Sequence, residues 1–263
     1  MTNPGTSNPE PIAGIDGMFL EALGNESIDI RWHYRIGTFV ENDQILIREH
    51  APNAHFVSII GDFNHWDRGR DPLHRISETE WEISMDRVRA IPGSRYKLHI
   101  AGYNGSRDRI PSTCRFAQQS PDGDFAAIFD FDVLNPPTKS NAPHQPLKIY
   151  ELHIGLAAAA PRIGTYLEVA ETVIHRVKAA GYTAVQLMAV HEHPYYGSFG
   201  YHVSNPYGIC SRFGTRQEFK YLVDKCHELG LIVIIDLVHA HAVKNLAEGL
   251  GEFDGQEGYL FLR

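Results

Sequence analysis

Leu231-Ile232-Val233-Ile234-Ile235-Asp236-Leu237-Val238-His239-Ala240-His241 is the stretch whose reading decides the fold. An apolar run without alternation fits a parallel β-strand covered on both faces. The run closes on an acid and two histidines. Side chains at the carboxyl end of such a strand stand where open α/β sheets and α/β barrels build their sites. Only 22 residues follow His241, so a sheet begun by this strand is expected to be incomplete within the chain.

Working back from that strand, the rhythm is strand, helix, strand, helix, strand. Leu147–His153 and Tyr182–Val190 read as the first two strands. Thr165-Tyr166-Leu167-Glu168 and Thr215-Arg216-Gln217-Glu218 have the Thr-x-x-Glu pattern of a helix start. Gly181 and Gly230 stand where the two helices should stop. A β-α-β-α-β run implies a parallel sheet. The connection from His191 to Gly214 is far longer than the usual two to six or so residues. It carries His191, Glu192, His193, Tyr195, Tyr196, Tyr201, His202 and Tyr207. Flat rings with hydrogen-bonding tips suit a sugar.

Further upstream the period changes to two. Trp81, Ile83 and Met85 alternate with polar neighbours, as do Tyr96, Leu98 and Ile100, with Pro92-Gly93 as the turn between them. Ile45–Ile47, Phe56–Ile60 and Phe125–Phe131 add further runs, giving five or six short strands and a small Ig-like β-sandwich. A polar segment with four prolines separates the two halves. The expected organisation is therefore a 1–39 extension, a 40–133 sandwich, a 134–146 linker and three β/α units over 147–263.

Composition narrows the function. The 263 residues are 43% hydrophobic with 11% aromatics, as in a globular protein with a core. A net charge of −8 disfavours nucleic acid and anionic membrane surfaces as partners. No apolar run is long enough to span a bilayer. Three scattered cysteines and a polar N-terminus point to a reducing compartment, the cytoplasm.

Several motifs carry a resemblance. Ile149-Tyr150-Glu151-Leu152-His153-Ile154-Gly155, Glu192-His193 with Ser198-Phe199-Gly200-Tyr201-His202, Ser211-Arg212-Phe213-Gly214-Thr215, Asp236–His241 and Phe253-Asp254-Gly255 stand in one register. Together they resemble the α-glucan branching enzymes of glycoside hydrolase family 13. Gly61-Asp62-Phe63-Asn64-His65-Trp66 is similar to a family 48 carbohydrate-binding module. The resemblance implies a (β/α)8 TIM barrel, here incomplete, and a double displacement between two carboxylates with transfer of a glucan segment to a 6-hydroxyl. It further implies that Tyr201 stacks on the sugar, that Asp236 and His241 hydrogen-bond beside it, and that Trp66 and Lys97 hold α-glucan on the sandwich. The nucleophile and the acid/base would lie beyond Arg263, because only 117 residues follow the linker against roughly 250 for a full barrel. Isoamylase-type debranching enzymes and trehalose-forming hydrolases share both parts and are the near alternatives; a non-catalytic glucan-binding protein is a more distant one.

Each residue also has a plainer reading. Trp66 and His241 could be core residues, Lys97 a solvated strand residue, Tyr201 a brace for its loop, and Asp236 an organiser of the strand end. The pairs His191-x-His193 and His239-x-His241, with Glu151, Glu192 or Asp236, form a rival set of metal ligands. Such pairs are frequent by chance, so neither metal nor cofactor is expected.

Overall fold

The computed structural model describes residues 36–131, 137–138 and 146–258. Most of the expected extension and linker, and residues 259–263, lie outside the described residues.

The first region is built from nine strands in two antiparallel sheets. One sheet has the order β1 (Gly37–Glu41), β2 (Gln44–His50), β5 (Glu80–Asp86), β4 (His74–Arg75). The other runs β3 (Phe56–Gly61), β6 (Arg95–Gly102), β9 (Phe125–Ile128), β8 (Ala117–Gln119), with β7 (Gly105–Arg109) also paired to β6. Period-two alternation turns Ile45, Ile47, Trp81, Met85, Tyr96, Leu98 and Ile100 into one core shared by both sheets. Each such burial contributes about 1.5–3 kcal/mol. The Trp81 indole N–H is satisfied inside, donating to the Ala51 carbonyl at 3.0 Å.

The sequence signal missed β7 and the start of β1. β7 reads Gly-Ser-Arg-Asp-Arg and has no apolar alternation; it forms because a tight hairpin, Gly102 opposite Gly105, folds it back on β6. β1 opens before residue 40 and pairs with β2 through a turn whose Asn42 and Asp43 both adopt positive φ. The first sheet thus reaches into the stretch expected as an extension.

In the second region β10 (Ile149–Leu152), β11 (Ala184–Leu187) and β14 (Ile232–Ile235) form a parallel sheet in that order. Residues at positions 149, 184 and 232 stand abreast, and so do Leu152, Leu187 and Ile235. Helix α1 has α-helical turns at Tyr166–Glu168 and Ile174–Ala179 around a π-helical stretch, Val169–Val173. There the Thr172 hydroxyl donates back to the Glu168 carbonyl at 2.7 Å, a competitor for the regular ladder. Helix α2 (Arg216–Glu228) starts on the expected reciprocal cap between Thr215 and Glu218. Both helices pack on Leu152, Val185, Leu187, Val233 and Ile235, which share one face of the sheet.

Two expectations are corrected. β14 is only half-buried along its length, because it is an edge of a three-stranded sheet rather than a strand covered on both sides. The chain after it also turns back to the sandwich. The Arg109 guanidinium donates to the carbonyls of Leu246, Gly249 and Gly251 at 2.8, 2.6 and 2.9 Å. Phe253 enters the core of the first region, and Asn53 donates to Asp254 at 2.7 Å. The segment that continues the α/β region in sequence therefore closes the sandwich in space.

Candidate functional site

The loop His191–Gly214 is more ordered than its composition suggests. β12 (His191–Glu192) and β13 (Asn205–Ile209) pair within it, and short 3₁₀ turns occupy Tyr196–Ser198 and Ser211–Phe213. Gly200 is obligatory there. Its φ is +88°, and an added Cβ would lie 2.0 Å from the Ala189 carbonyl oxygen. That close approach fixes the backbone from which Tyr201 projects.

The Tyr201 hydroxyl donates to Asp236 Oδ2 at 3.0 Å. Asp236 follows β14, its N–H held by the Leu187 carbonyl at 3.1 Å. By alternation it shares the helix-free face of the sheet with Gln186 and Glu151, which are hydrogen-bonded at 3.2 Å. Partial burial, the bond to Asp236 and the negative charges of Asp236 and Glu151 hold the Tyr201 phenol above its ordinary value. Tyr201 is therefore a neutral donor and an aromatic surface beside two carboxylates.

His191 also belongs to this group. Burial lowers its pKa, the neighbouring His239 lowers it further, and Asp236 opposes both. His241 is exposed in the turn beyond, and among the described residues no hydrogen bond ties it to Tyr201 or Asp236. The structure thus brings Tyr201 and Asp236 together, adds His191, His239 and Glu151, and leaves His241 at the margin. The motif containing Glu151 and the pair His191-x-His193 were the available signals for the added residues.

The rival set of metal ligands is not the one that assembles. Among the described residues the donors that converge are Glu192, His193 and Cys210, within 4.8 Å of one another and fully buried. Two carboxylate bonds are already committed: Glu192 accepts from the N–H groups of His193 at 3.0 Å and Ser211 at 2.7 Å. The Arg212 guanidinium lies 3.8 Å from the same carboxylate and supplies its counter-charge. A guanidinium in that place opposes a second cation, so the triad reads as a structural brace.

On the sandwich, the Gly61–Trp66 loop is shaped from within. Asn64 is buried, donates to the Ile59 carbonyl and to Asp71 at 3.0 and 2.8 Å, and accepts from Gly61 N–H at 2.9 Å. His65 and Trp66 both take positive φ, a conformation that costs non-glycine residues energy and gathers at functional loops. The Trp66 ring is half-exposed. Its N–H donates to Asp62 at 3.1 Å, and the Arg95 guanidinium lies 5.8 Å from the ring centre. Arg95 and Lys97 share the outer face of β6, and both reach Asp124, at 3.5 and 2.6 Å. Lys97 is thus mostly buried and ion-paired rather than solvated. Trp66, Arg95, Asp124 and Lys97 make one continuous polar and aromatic surface.

Comparison with known proteins agrees with this division. Residues 35–113 match the family described as carbohydrate-binding module 48 (isoamylase N-terminal domain), and residues 159–248 match the alpha amylase catalytic domain. A 1,4-alpha-glucan-branching enzyme of Dictyostelium discoideum is 41% identical over 237 residues, covering 86% of this chain and 34% of that protein. The chloroplastic/amyloplastic 1,4-alpha-glucan-branching enzyme 2-2 of Arabidopsis thaliana is 41% identical over 244 residues, 88% and 30% of the two chains. The chain spans about a third of the length of the curated relatives it matches. Among solved structures, a product complex of the pneumococcal glycogen-degrading virulence factor SpuA superposes with a TM-score of 0.68 at 18% identity, over 81% of this chain and 28% of that one. The Group B Streptococcus pullulanase SAP gives 0.67 at 16%, over 83% and 35%; both likenesses speak for the fold alone. The chain is a relative of the 1,4-alpha-glucan-branching enzymes, with a family 48 carbohydrate-binding module joined to part of an alpha-amylase-type catalytic domain.

Proposed function

We propose that this protein serves 1,4-α-glucan branching, the transfer of an α-1,4-glucan segment to a 6-hydroxyl, and that the residues described here recognise the glucan. The observation that carries the reading is the Tyr201–Asp236 bond at 3.0 Å. It sets an aromatic ring and a carboxylate side by side at the carboxyl end of parallel strands, where a sugar needs both a face and hydrogen bonds. In this reading the sheet is the opening of a (β/α)8 barrel with its helix-free face inward, and the sandwich and barrel portions divide near the 134–146 linker. His241 contacts the sugar when glucan is bound. Trp66 and Lys97 hold a more distant stretch of the same polymer. The two catalytic carboxylates follow later strands than the three parallel ones described, as the family resemblance implies.

No helix among the described residues is long and apolar enough to cross a membrane. The cysteines Cys114, Cys210 and Cys226 are free and buried, which supports a cytoplasmic address. Affinity electrophoresis in amylose-containing gels tests the reading. Wild-type protein is expected to be retarded, and Trp66→Ala to lose most of that retardation with its melting temperature unchanged. Equal mobility with and without amylose would refute glucan recognition by this chain.

A further inference from the structure

The turn that creates β7 holds a reactive pair. Asn104-Gly105 is the only Asn-Gly in the sequence, and it stands at the hairpin tip, where Gly102 faces Gly105. Tyr103, Asn104 and Gly105 are exposed, Tyr103 at 84%. β7 pairs with β6 alone, so this end frays without opening the core. Among the described residues no hydrogen bond engages the Asn104 side-chain amide. Gly105 has no side chain to obstruct an approach, and the space where a Cβ would stand is open. Its nitrogen is an intramolecular nucleophile, one five-membered ring away from Asn104 Cγ.

Two Asp-Gly pairs give an internal contrast. Asp254 is fully buried and accepts from Asn53 at 3.1 and 2.7 Å. Asp122 is exposed, but the Ser120 hydroxyl donates to it, and its ring closure would have to expel water rather than ammonia.

The place of the pair gives it consequence, because β7 grips the returning segment. The Asn104 N–H donates to the Gly255 carbonyl at 2.8 Å. Arg107 lies 3.4 Å from Glu252, and Arg109 holds the carbonyls of Leu246, Gly249 and Gly251. Gly102 packs so closely on this segment that an added Cβ would lie 2.4 Å from the Asp254 carbonyl oxygen. The register of β7 therefore sets the whole clasp.

We propose that Asn104 is a site of spontaneous isoaspartate formation, and that this modification loosens the Leu246–Gly255 return from the sandwich. The Gly105 nitrogen gives up its proton and attacks Asn104 Cγ, forming the C–N bond of a succinimide. The Cγ–Nδ2 bond breaks, and ammonia leaves carrying that proton. Water then opens the ring. Cleavage next to the main-chain carbonyl leaves isoaspartate, and cleavage next to Cγ leaves aspartate. Water is consumed, ammonia is released, and no electrons are exchanged with any other reactant. Isoaspartate routes the chain through Cβ, so the backbone gains an atom and Gly102 no longer faces Gly105 in register.

Ageing the full chain in warm, mildly alkaline buffer tests this, read by peptide mapping and by labelling with an isoaspartyl methyltransferase. A free peptide of residues 101–108 is the reference. Asn104 in the folded chain should convert within about tenfold of the peptide's rate, with isoaspartate exceeding aspartate. Trypsin should then cut after Lys244 at least about threefold faster in aged than in fresh protein. Asn104→Gln needs a larger ring to react and should keep its fresh cleavage rate on ageing. Fresh Asn104→Asp carries the charge without the longer backbone and should also be cut slowly. An Asn104 that stays intact long after the peptide has converted would overturn the proposal. So would conversion that leaves cleavage unchanged, equal acceleration in aged Asn104→Gln, or fresh Asn104→Asp cut as fast as aged wild type.

Discussion

The Trp66 surface and the Tyr201–Asp236 site hold the same kinds of side chain on supports of different construction. The first stands on a sheet whose inner face is a closed core, and its loop is locked by the buried Asn64. The second stands on the half-exposed edge of a three-stranded sheet, and in the same region Nδ1 of His191, Nε2 of His193 and both ring nitrogens of His153 are buried with no hydrogen-bond partner among the described residues. A closed core lets a small module present a finished surface. An open sheet presents side chains in register but leaves polar atoms waiting for partners.

One residue joins the two constructions, and removing it should have the largest effect. Arg212 donates to the carbonyls of His193 and Pro194 and to Gln119 Oε1 of β8, and lies over the Phe125 ring. It is also the counter-charge of the fully buried Glu192. Arg212→Ala strands that carboxylate, and the expected loss is about 3–5 kcal/mol in urea unfolding. Arg95→Ala removes an ion pair that is far more exposed, and should cost less than about 1 kcal/mol. Equal losses from the two variants would mean that the brace between the regions is not what the geometry indicates.

The next effect belongs to the sandwich alone. Glu49 is buried, and although Ser112 and His50 N–H groups and the Ser112 hydroxyl donate to it, burial dominates and pushes its pKa from 4.5 up to about 7. The folded state then holds the proton more tightly than the unfolded chain. Stability from this group is full below pH 4.5 and is lost as pH rises through 7, by about 3 kcal/mol. Glu49→Gln should flatten that slope in unfolding measured from pH 4 to 8. A wild-type curve that instead rises across this window would contradict the buried, protonated acid.

Legibility in the sequence followed the same contrast. The alternation at Trp81–Met85 and Tyr96–Ile100 exposed the sandwich core because each strand there buries one face. The Thr-x-x-Glu starts and the stop glycines located both helices, because those rules are local. The polar strand β7 left no periodic trace, and neither did the return of Leu246–Phe253 onto Arg109, since backbone carbonyls received by a distant guanidinium have no sequence signature. At the site, Tyr201 and Asp236 could be named from motifs, but their partnership with His191 and His239 depends on how two strand ends lie in space.

The smallest effect tests which part of Tyr201 matters. Tyr201→Phe keeps the ring and deletes the donor to Asp236. Water can replace that donor at a half-exposed position, so the stability change should be about 1 kcal/mol or less. Measured by calorimetry with a linear maltooligosaccharide in a Trp66→Ala background, Tyr201→Phe should lower affinity about threefold. Tyr201→Ala should lower it tenfold or more, because stacking area is lost as well. If the two variants bind equally, the ring contributes nothing and the hydroxyl–carboxylate pair alone reads the sugar. That outcome would make the two surfaces alike in composition but opposite in the part of the aromatic side chain they use.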